Sequence, residues 1–373
     1  MQQTQTQASR FHSGVQRVLR SRVAQVLSYP HGVDRYLEVM NPMWSTGEVR
    51  ARVEQVQHLT ADSVTLTLRP NQHWQGFIPG QFVQLTVEID GVRHTRCYSP
   101  ANSVHNGDGT IELTAKAHAN GFVSRYLREQ MQAGQVVSLS QSGGEFALPA
   151  NRPERVLLIS GGSGITPVMA MLRTLCDEGH SGKITFLHYA NRAEDMIYAD
   201  ELAEIAARHD NVELVRCFNG GDTAGELSGL FCREHLLEAV PDYADADTFL
   251  CGPPPMMAAV EALWDEEGLD HRLNKEHFTL AAPQVDSDSA EGEVRFARSE
   301  TLVTNNGANL LEQAEAAGLK PESGCRMGIC YSCTCRKTSG QVRDLRTGKV
   351  SSGDEQDIQL CVSVPVGTVT LDI

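Results

Sequence analysis

The chain lacks long apolar runs and lacks an excess of positive charge. Its 373 residues carry a net charge of −15, which disfavours non-specific nucleic-acid binding, so we expect no nucleic-acid partner. Apolar stretches such as Val156–Ile159 are far shorter than the roughly 18 residues that span a bilayer. No apolar signal core follows the polar Met1–Arg10. We therefore expect a cytoplasmic protein.

The composition is that of a compact soluble protein. Hydrophobic residues make up 41% of the chain and charged residues 21%, and this length predicts two or three domains. There are ten cysteines, and in a chain without an export signal we expect them to stay reduced. Clustered thiols in such a chain indicate metal or redox chemistry.

Two strand patterns precede an acidic, polar stretch, Pro283–Glu293, which is typical of a flexible linker. From Gly47 to Pro149, short alternating runs separated by glycine turns predict an antiparallel barrel or sandwich. From Arg155 to Phe278, apolar strands alternate with helical stretches and predict a doubly wound parallel sheet. The predicted divisions are a helical extension at 1–45, a barrel at 46–150, an α/β domain at 151–280, a linker at 281–292 and a last domain at 293–373.

The N-terminal extension contains an amphipathic pattern at residues 8–30. Apolar residues recur there at helical spacing, with four arginines and no acid in between. One interpretation is a helix packed on its own protein. The other is a basic helix that contacts a partner or the inner face of a membrane.

The most specific signal is a cysteine loop. Cys325, Cys330 and Cys333 follow the spacing Cys-x4-Cys-x2-Cys, and Cys361 comes later in the chain. Three close thiolates and a distant fourth are the ligand pattern of a plant-type [2Fe–2S] cluster. A structural zinc site is the alternative, but it normally pairs two Cys-x2-Cys elements, and only one is present. Cys335 falls outside the spacing, and we interpret it as a bystander.

Around this loop, the segment from Glu293 to Ile373 resembles a plant-type ferredoxin. The resemblance is carried by ESGCRMGICYSC and the returning LCVSVP. It implies an α+β fold of the β-grasp type, with Cys325, Cys330, Cys333 and Cys361 as the iron ligands.

Two segments of the barrel have the chemistry that a flavin needs. RCYS (Arg96–Ser99) ends a strand, and GFVS (Gly121–Ser124) begins a helix. A diphosphate requires a guanidinium and a helix N-terminus, and a flavin ring requires an aromatic face and a hydroxyl. Together these segments resemble the ferredoxin–NADP reductase superfamily. The resemblance implies a flavin site formed by Arg96, Tyr98, Ser99, Gly121, Phe122, Val123 and Ser124.

Two glycine-containing turns follow strands of the predicted parallel sheet. GGSGITP (Gly161–Pro167) lies between a strand and a helix, as a pyrophosphate-binding loop requires. CGPPPMM (Cys251–Met257) follows the last apolar strand. Both are similar to nicotinamide-site motifs of the same superfamily. The resemblance implies contacts from Gly162, Gly164, Thr166, Pro167, Cys251, Gly252 and Pro253, with Ser99 and Cys251 beside the reacting atoms.

The choice of coenzyme rests on the residues after the second strand of the parallel sheet. Arg192 is suited to the extra phosphate of NADPH, so we expect NADPH. Asp195 lies close enough in sequence to keep NADH open, because an acid can bind the ribose hydroxyls.

The order flavin, nicotinamide, [2Fe–2S] predicts a reductase that passes electrons from NADPH through FAD to an iron protein. The chain most resembles the electron-transfer partners of stearoyl-CoA desaturases, which implies a diiron desaturase or oxygenase as acceptor. FAD rests on the resemblance alone, since reductases of the phthalate dioxygenase type share this domain order and use FMN. The alternatives are a reductase of a soluble ring-hydroxylating, alkane or haem monooxygenase, and a redox-sensing module without turnover.

Overall fold

The structure, a computed structural model, describes residues 33–117, 121–221, 225–278 and 291–373, except for residues 325, 327, 329, 330, 346 and 352. The predicted helix at 8–30, most of the predicted linker and two of the predicted cluster ligands, Cys325 and Cys330, therefore lie outside the described residues. None of the described helices has the length and apolarity needed to cross a bilayer.

The described chain begins with helix α1 (Val33–Met40). Asp34 ties this helix to the start of the barrel by accepting a hydrogen bond of 2.6 Å from the backbone N–H of Thr46. Tyr36, Val39 and Met40 lie three and four residues apart, so they share one helix face. Their exposed fractions are 52%, 78% and 74%. The face is therefore apolar and open to solvent.

The first domain is a six-stranded antiparallel, barrel-like sheet in the order β4-β3-β6-β1-β2-β5. Its strands alternate buried and more exposed residues: Val83, Leu85 and Val87 of β3 point into the core, and the residues between them do not. Its elements are β1 (Val49–Gln57), β2 (Ser63–Pro70), β3 (Val83–Ile89), β4 (Val92–Tyr98), β5 (Ile111–Lys116), α2 (Phe122–Glu129) and β6 (Val136–Leu139).

The second domain is a parallel sheet in the order β10-β9-β8-β7-β11-β12, with helices on both faces. Strand β7 is apolar throughout its centre because both of its faces are covered. Its elements are β7 (Arg155–Gly161), α3 (Ile165–Asp177), β8 (Lys183–Ala190), α4 (Ala199–Arg208), β9 (Val212–Phe218), β10 (Leu227–Ser228), α5 (Arg233–Ala239), β11 (Asp247–Cys251), α6 (Pro254–Glu267) and β12 (Leu273–Glu276).

The third domain is a mixed sheet in the order β14-β13-β18-β15-β16, with β17 paired to β15 and one helix packed on its core. We call it the ferredoxin domain. Its elements are β13 (Glu293–Phe296), β14 (Thr301–Thr304), α7 (Leu310–Ala316), β15 (Thr334–Asp344), β16 (Val350–Ser351), β17 (Gln356–Gln359) and β18 (Ser363–Leu371). The predicted fold class is thus confirmed for all three domains.

A partly buried set of hydrogen bonds, which we call the Arg173 network, joins the barrel to the α/β domain. Nη1 of Arg173, on α3, donates to the Ala101 carbonyl and to the Glu112 carboxylate of the barrel, both at 2.8 Å. Its Nε donates to Glu201 of α4 at 2.7 Å. The Tyr198 hydroxyl also donates to Glu112, at 3.0 Å, and the Arg173 guanidinium lies 4.8 Å from the centre of the Tyr198 ring. The network fixes the two domains relative to each other.

Candidate cofactor sites

A cavity of about 1080 Å³ lies where the three domains meet. All three domains contribute to its wall, so groups bound to different domains would face one another there. Of the predicted site residues, the wall contains Arg96, Tyr98, Ser99, Gly121, Phe122, Val123, Ser124, Gly162, Gly164, Thr166, Gly252, Pro253 and Cys361.

Four of the predicted site residues that the structure describes are absent from this wall: Pro167, Arg192, Cys251 and Cys333. Pro167 is buried in the first turn of α3. Cys251 is fully buried one residue behind Gly252, because it ends strand β11, which is flanked by β7 and β12. Burial, and then the nearby Glu276, raise the pKa of the Cys251 thiol well above its usual value.

The end of strand β4 presents a cation and an aromatic ring to the cavity. Arg96 is half-buried, and its Nη1 donates to the Thr95 carbonyl at 2.7 Å. Among the described residues, no carboxylate forms an ion pair with it. Burial strongly raises the pKa of Tyr98, so this ring stays neutral. A guanidinium without an acidic partner suits an anionic ligand.

Helix α2 begins at the same wall. Gly121 is its N-cap and supplies no side-chain hydrogen bond to the first helical N–H groups. Phe122 packs edge-on against His94, with 4.9 Å between the ring centres, and Val123 anchors the helix in the barrel core. The open N–H groups and the positive end of the helix dipole favour an anion here, beside Arg96.

Two buried polar groups face the cavity without partners. Oγ of Ser99 and Oε2 of Glu276 have no hydrogen-bond partner of standard geometry among the described residues. Burial raises the pKa of Glu276 to about 8, an effect that the neighbouring Ser99 hydroxyl partly offsets. At neutral pH, the carboxyl is therefore mostly protonated and can donate a hydrogen bond. Buried polar atoms left without partners fit a site that a polar ring system would complete.

The two glycine turns pack against each other at the carboxyl edge of the parallel sheet. A Cβ atom at Gly164 would overlap the Cys251 carbonyl, and one at Gly252 would overlap the Met256 side chain. Gly162 has φ +53°, a conformation that favours glycine. The turns thus keep the cavity open next to the start of α3, as a dinucleotide requires.

The two residues predicted to select the coenzyme, Arg192 and Asp195, follow strand β8 of the parallel sheet. Nη1 of Arg192 is 3.3 Å from Oε1 of Glu194, and both side chains are largely exposed. Asp195, and not Arg192, contributes to the cavity wall. The Arg192 guanidinium therefore pairs with the exposed carboxylate of Glu194, and exposed ion pairs of this kind are weak.

Two of the predicted cluster ligands lie together in the core of the ferredoxin domain. Cys333 and Cys361 are buried, and their sulfur atoms are 3.3 Å apart. The backbone N–H of Cys361 points at the Cys333 sulfur over 3.5 Å. The described residues alone contain no group of three metal-ligating side chains. The pair of buried thiols has the donor chemistry that an iron–sulfur cluster requires.

Sequence reasoning missed Glu276 and Phe278, which also line the cavity. Glu276 ends β12, a short strand at the edge of the parallel sheet with a polar sequence. The signal that could have found it is its position, since an acid at the carboxyl end of a strand faces the ligand-binding edge of such a sheet.

Comparison with protein families matches each domain. An oxidoreductase FAD-binding domain matches residues 50–148, an oxidoreductase NAD-binding domain matches residues 158–262, and a 2Fe-2S iron-sulfur cluster binding domain matches residues 296–366. The residues present fit these three groups: a cationic pocket with orphaned hydroxyl and carboxyl atoms, a glycine cradle, and paired buried thiols.

Two relatives are similar over nearly the whole chain. An NADPH oxidoreductase of Mycobacterium tuberculosis is 35% identical, covering 94% of this chain and 91% of that protein. A glycine betaine monooxygenase reductase subunit of Pseudomonas aeruginosa is 32% identical, covering 89% of this chain and 98% of that protein.

The fold is also that of a solved structure. Phthalate dioxygenase reductase aligns with a TM-score of 0.60 and 23% identity, covering 88% of this chain and 98% of that one. The chain therefore belongs to the ferredoxin reductase-type, NAD(P)H-dependent oxidoreductases that join an FAD-binding domain, an NAD-binding domain and a [2Fe–2S] domain.

Proposed function

We propose that this chain is the reductase component of an oxygenase system and that it draws its electrons from NADPH. The observation that carries the proposal is the shared cavity, whose wall combines Tyr98 and Ser99, the two glycine turns, and the ligand Cys361. The bound cofactors would supply the redox chemistry, namely hydride acceptance by a flavin and single-electron transfer by an iron–sulfur cluster.

The chain's own residues bind and orient these groups. We assign Arg96 and the start of α2 (Gly121–Ser124) to the flavin phosphates, and Tyr98 to the face of the flavin ring. We assign Ser99, and Glu276 in its protonated form, as hydrogen-bond donors to that ring, since both have buried polar atoms without described partners. Hydride transfer requires the two rings to approach closely, and the glycine turns leave the space for this approach.

In this proposal the cluster is held by Cys325, Cys330, Cys333 and Cys361. Cys361 lies on the cavity wall, and Cys333 lies behind it. The remaining two ligands lie outside the described residues. The Cys251 thiol is assigned to support the nicotinamide pocket from behind Gly252, since its sulfur is fully buried.

The names of several relatives support an oxygenase as the acceptor. They include the glycine betaine monooxygenase reductase subunit, a 3-ketosteroid-9-alpha-monooxygenase ferredoxin reductase component of Mycobacterium tuberculosis and a component of the 1,2-phenylacetyl-CoA epoxidase of Escherichia coli. None of these names is that of a desaturase partner, and they fit the alternative acceptor, a soluble ring-hydroxylating, alkane or haem monooxygenase.

We favour a membrane-bound diiron desaturase acting on acyl-CoA, because the N-terminal part of the chain suits a lipid surface. The exposed apolar face of α1, formed by Tyr36, Val39 and Met40, directly follows a stretch with four arginines and no acid. An apolar face next to basic residues is the composition of a peripheral membrane contact.

Reconstitution tests this assignment. The full chain is combined separately with a membrane acyl-CoA desaturase and with a soluble ring-hydroxylating oxygenase, and product is measured per NADPH oxidised. We expect coupled turnover with the desaturase. Coupling only to the soluble oxygenase would overturn the desaturase assignment and leave the reductase function intact.

A matched pair of variants sharpens the test. Val39→Asp with Met40→Asp should weaken binding to anionic vesicles and lower desaturase coupling, while cytochrome c reduction stays unchanged. Leu237→Asp, at an exposed leucine of α5, is the control and should change neither. Equal effects of both changes would contradict a membrane role for α1.

A further inference from the structure

The cysteine loop of the ferredoxin domain extends a cation into the shared cavity. Arg326 lies on the cavity wall and has φ +59°, a conformation that a non-glycine residue adopts only at a cost in energy. Its guanidinium forms two hydrogen bonds to Glu315 of α7, and the Nη1–Oε2 distance is 2.9 Å. The backbone conformation and the paired hydrogen bonds fix where this charge lies.

Arg326 and Arg96 bring two guanidinium groups to the wall of the same cavity. Burial, and then the charge of Arg326, lower the pKa of Arg96, and the nearby Tyr98 and Glu315 partly offset this effect. Both guanidinium groups also contribute to lowering the pKa of His94, after burial. Glu315 pairs with Arg326 and Glu312 lies on the same wall, but no described carboxylate forms an ion pair with Arg96. An anion in the cavity would complete the site.

We propose that Arg326 of the ferredoxin domain is a second binding residue for the flavin phosphates, opposite Arg96 of the barrel. The flavin then bridges the two domains through its phosphate groups, and its binding holds the cluster-bearing domain against the flavin-bearing one. This inference rests on the proposed flavin site at Arg96.

A pair of ligands separates phosphate contacts from ring contacts. FAD and riboflavin share the ring system, but only FAD carries the diphosphate. A residue that binds the phosphates must affect FAD and spare riboflavin, whereas a residue that only shapes the cavity affects both.

The test is a fluorescence titration of the full, deflavinated chain with FAD and with riboflavin. We expect Arg326→Gln to weaken FAD binding about tenfold, the size of one charge-assisted contact, and to leave riboflavin binding unchanged. Arg326→Lys should restore most of the FAD affinity. Arg298→Gln removes another arginine of the same domain, one paired with Asp372 at the surface, and should have no effect.

Arg326→Gln could disturb loading of the cluster, and the visible spectrum of that variant would reveal this. A second variant therefore changes a residue outside the cysteine loop. Glu312 of α7 also lines the cavity. Removing its negative charge in Glu312→Gln should strengthen FAD binding about twofold, as expected for an exposed charge near an anion, with riboflavin unchanged.

The outcomes distinguish the two proposals. If Arg96→Gln weakens FAD binding but neither Arg326→Gln nor Glu312→Gln changes it, the bridging role is wrong and the flavin site stands. If Arg96→Gln leaves FAD binding unchanged as well, the phosphate site itself is wrong.

Discussion

The barrel and the α/β domain meet through the partly buried Arg173 network, whereas the ferredoxin domain meets both of them across an open cavity. The first interface is filled by a guanidinium, two carboxylates and a tyrosine held at hydrogen-bond distance. The second presents Asn309, Glu312 and Arg326 to a space large enough for cofactors. The boundary between the barrel and the α/β domain is therefore closed by polar side chains. The boundary with the ferredoxin domain contains a cavity that bound cofactors would fill.

This difference corresponds to the two transfers proposed for the chain. Hydride transfer forms and breaks bonds, so small misplacements of the two rings are costly. Passing a single electron requires no bond between donor and acceptor. Hydride transfer is suited by a fixed interface between the barrel and the α/β domain. Electron transfer tolerates an interface to the ferredoxin domain that is closed only when the cofactors are bound.

The largest expected effect is loss of the cluster from the ferredoxin domain without loss of the flavin reaction in the other two domains. Cys361→Ser should abolish the visible absorbance of the cluster and cytochrome c reduction, because a hydroxyl is a poor substitute for a thiolate ligand. Ferricyanide reduction by the fixed pair of domains should persist. Loss of ferricyanide reduction as well would show that the two regions are not separable.

A neighbouring cysteine is the matched control for this change. Cys335 is half-buried on β15 and lies outside the predicted ligand set. Cys335→Ser should keep the cluster, although it lies two residues from Cys333. Both absorbance and cytochrome c reduction report the outcome.

The second prediction breaks the fixed interface. Arg173→Met leaves Glu112 and Glu201 without their partly buried partner and should lower the free energy of unfolding by about 2 kcal/mol. Hydride transfer should slow as well, because the barrel and the α/β domain lose their fixed relative position. Denaturant unfolding and anaerobic stopped-flow mixing with NADPH measure the two effects.

Arg155→Met is the control for the partly buried network. Arg155 pairs with Asp242 near the surface, so its loss should cost less than about 1 kcal/mol. If the Arg155 and Arg173 variants were destabilised equally, the network would not be what holds the interface.

The third prediction concerns acid. Burial, assisted by the charge of Lys116 from the barrel, lowers the pKa of His188 from 6.5 to about 3. The unfolded chain therefore takes up a proton below pH 6.5 that the folded chain excludes, so stability falls as the pH falls. Between pH 6.5 and 5 the free energy of unfolding should drop by about 2 kcal/mol from this group.

The pH slope of stability isolates this contribution. In His188→Gln the slope between these pH values should be smaller, and in His58→Gln, at an exposed histidine, it should match the original. An unchanged slope in the His188 variant would mean that other groups dominate the loss of stability at acidic pH.

The smallest expected effect concerns the choice between NADPH and NADH by the α/β domain. Arg192→Ala should raise KM for NADPH about tenfold, the value of one charge-assisted contact to the extra phosphate, with KM for NADH nearly constant. Arg208→Ala, on the exposed end of α4, is the control. Equal increases for both coenzymes would remove Arg192 from coenzyme selection and favour Asp195.

The sequence predicts the elements whose signals are local. The alternation of apolar strands and helical stretches from Arg155 to Phe278 is such a signal, and the structure shows a parallel sheet with helices on both faces there. The glycine turns could be placed because each follows an apolar strand. The predicted fold classes of the first two domains could likewise be read from the strand spacing, whereas that of the third rested on the resemblance carried by its cysteine motif.

Other features depend on contacts between distant parts of the chain. Strand β12 has the sequence LNKE, which carries no apolar alternation because it is a half-exposed edge strand. The Arg173 network joins residues from separate domains, and no spacing indicates such pairs. Burial of Cys251 behind Gly252 follows from the packing of β11 between β7 and β12, which sequence alone does not show.

The most direct measurement of the central claim is an anaerobic titration of the purified full chain with NADPH, followed by visible absorbance. We predict that the flavin band and the cluster band both bleach, and that the total uptake corresponds to two electrons for the flavin and one for the cluster. A chain that lacks either band, or whose cluster band stays unchanged while the flavin band bleaches, would contradict the account.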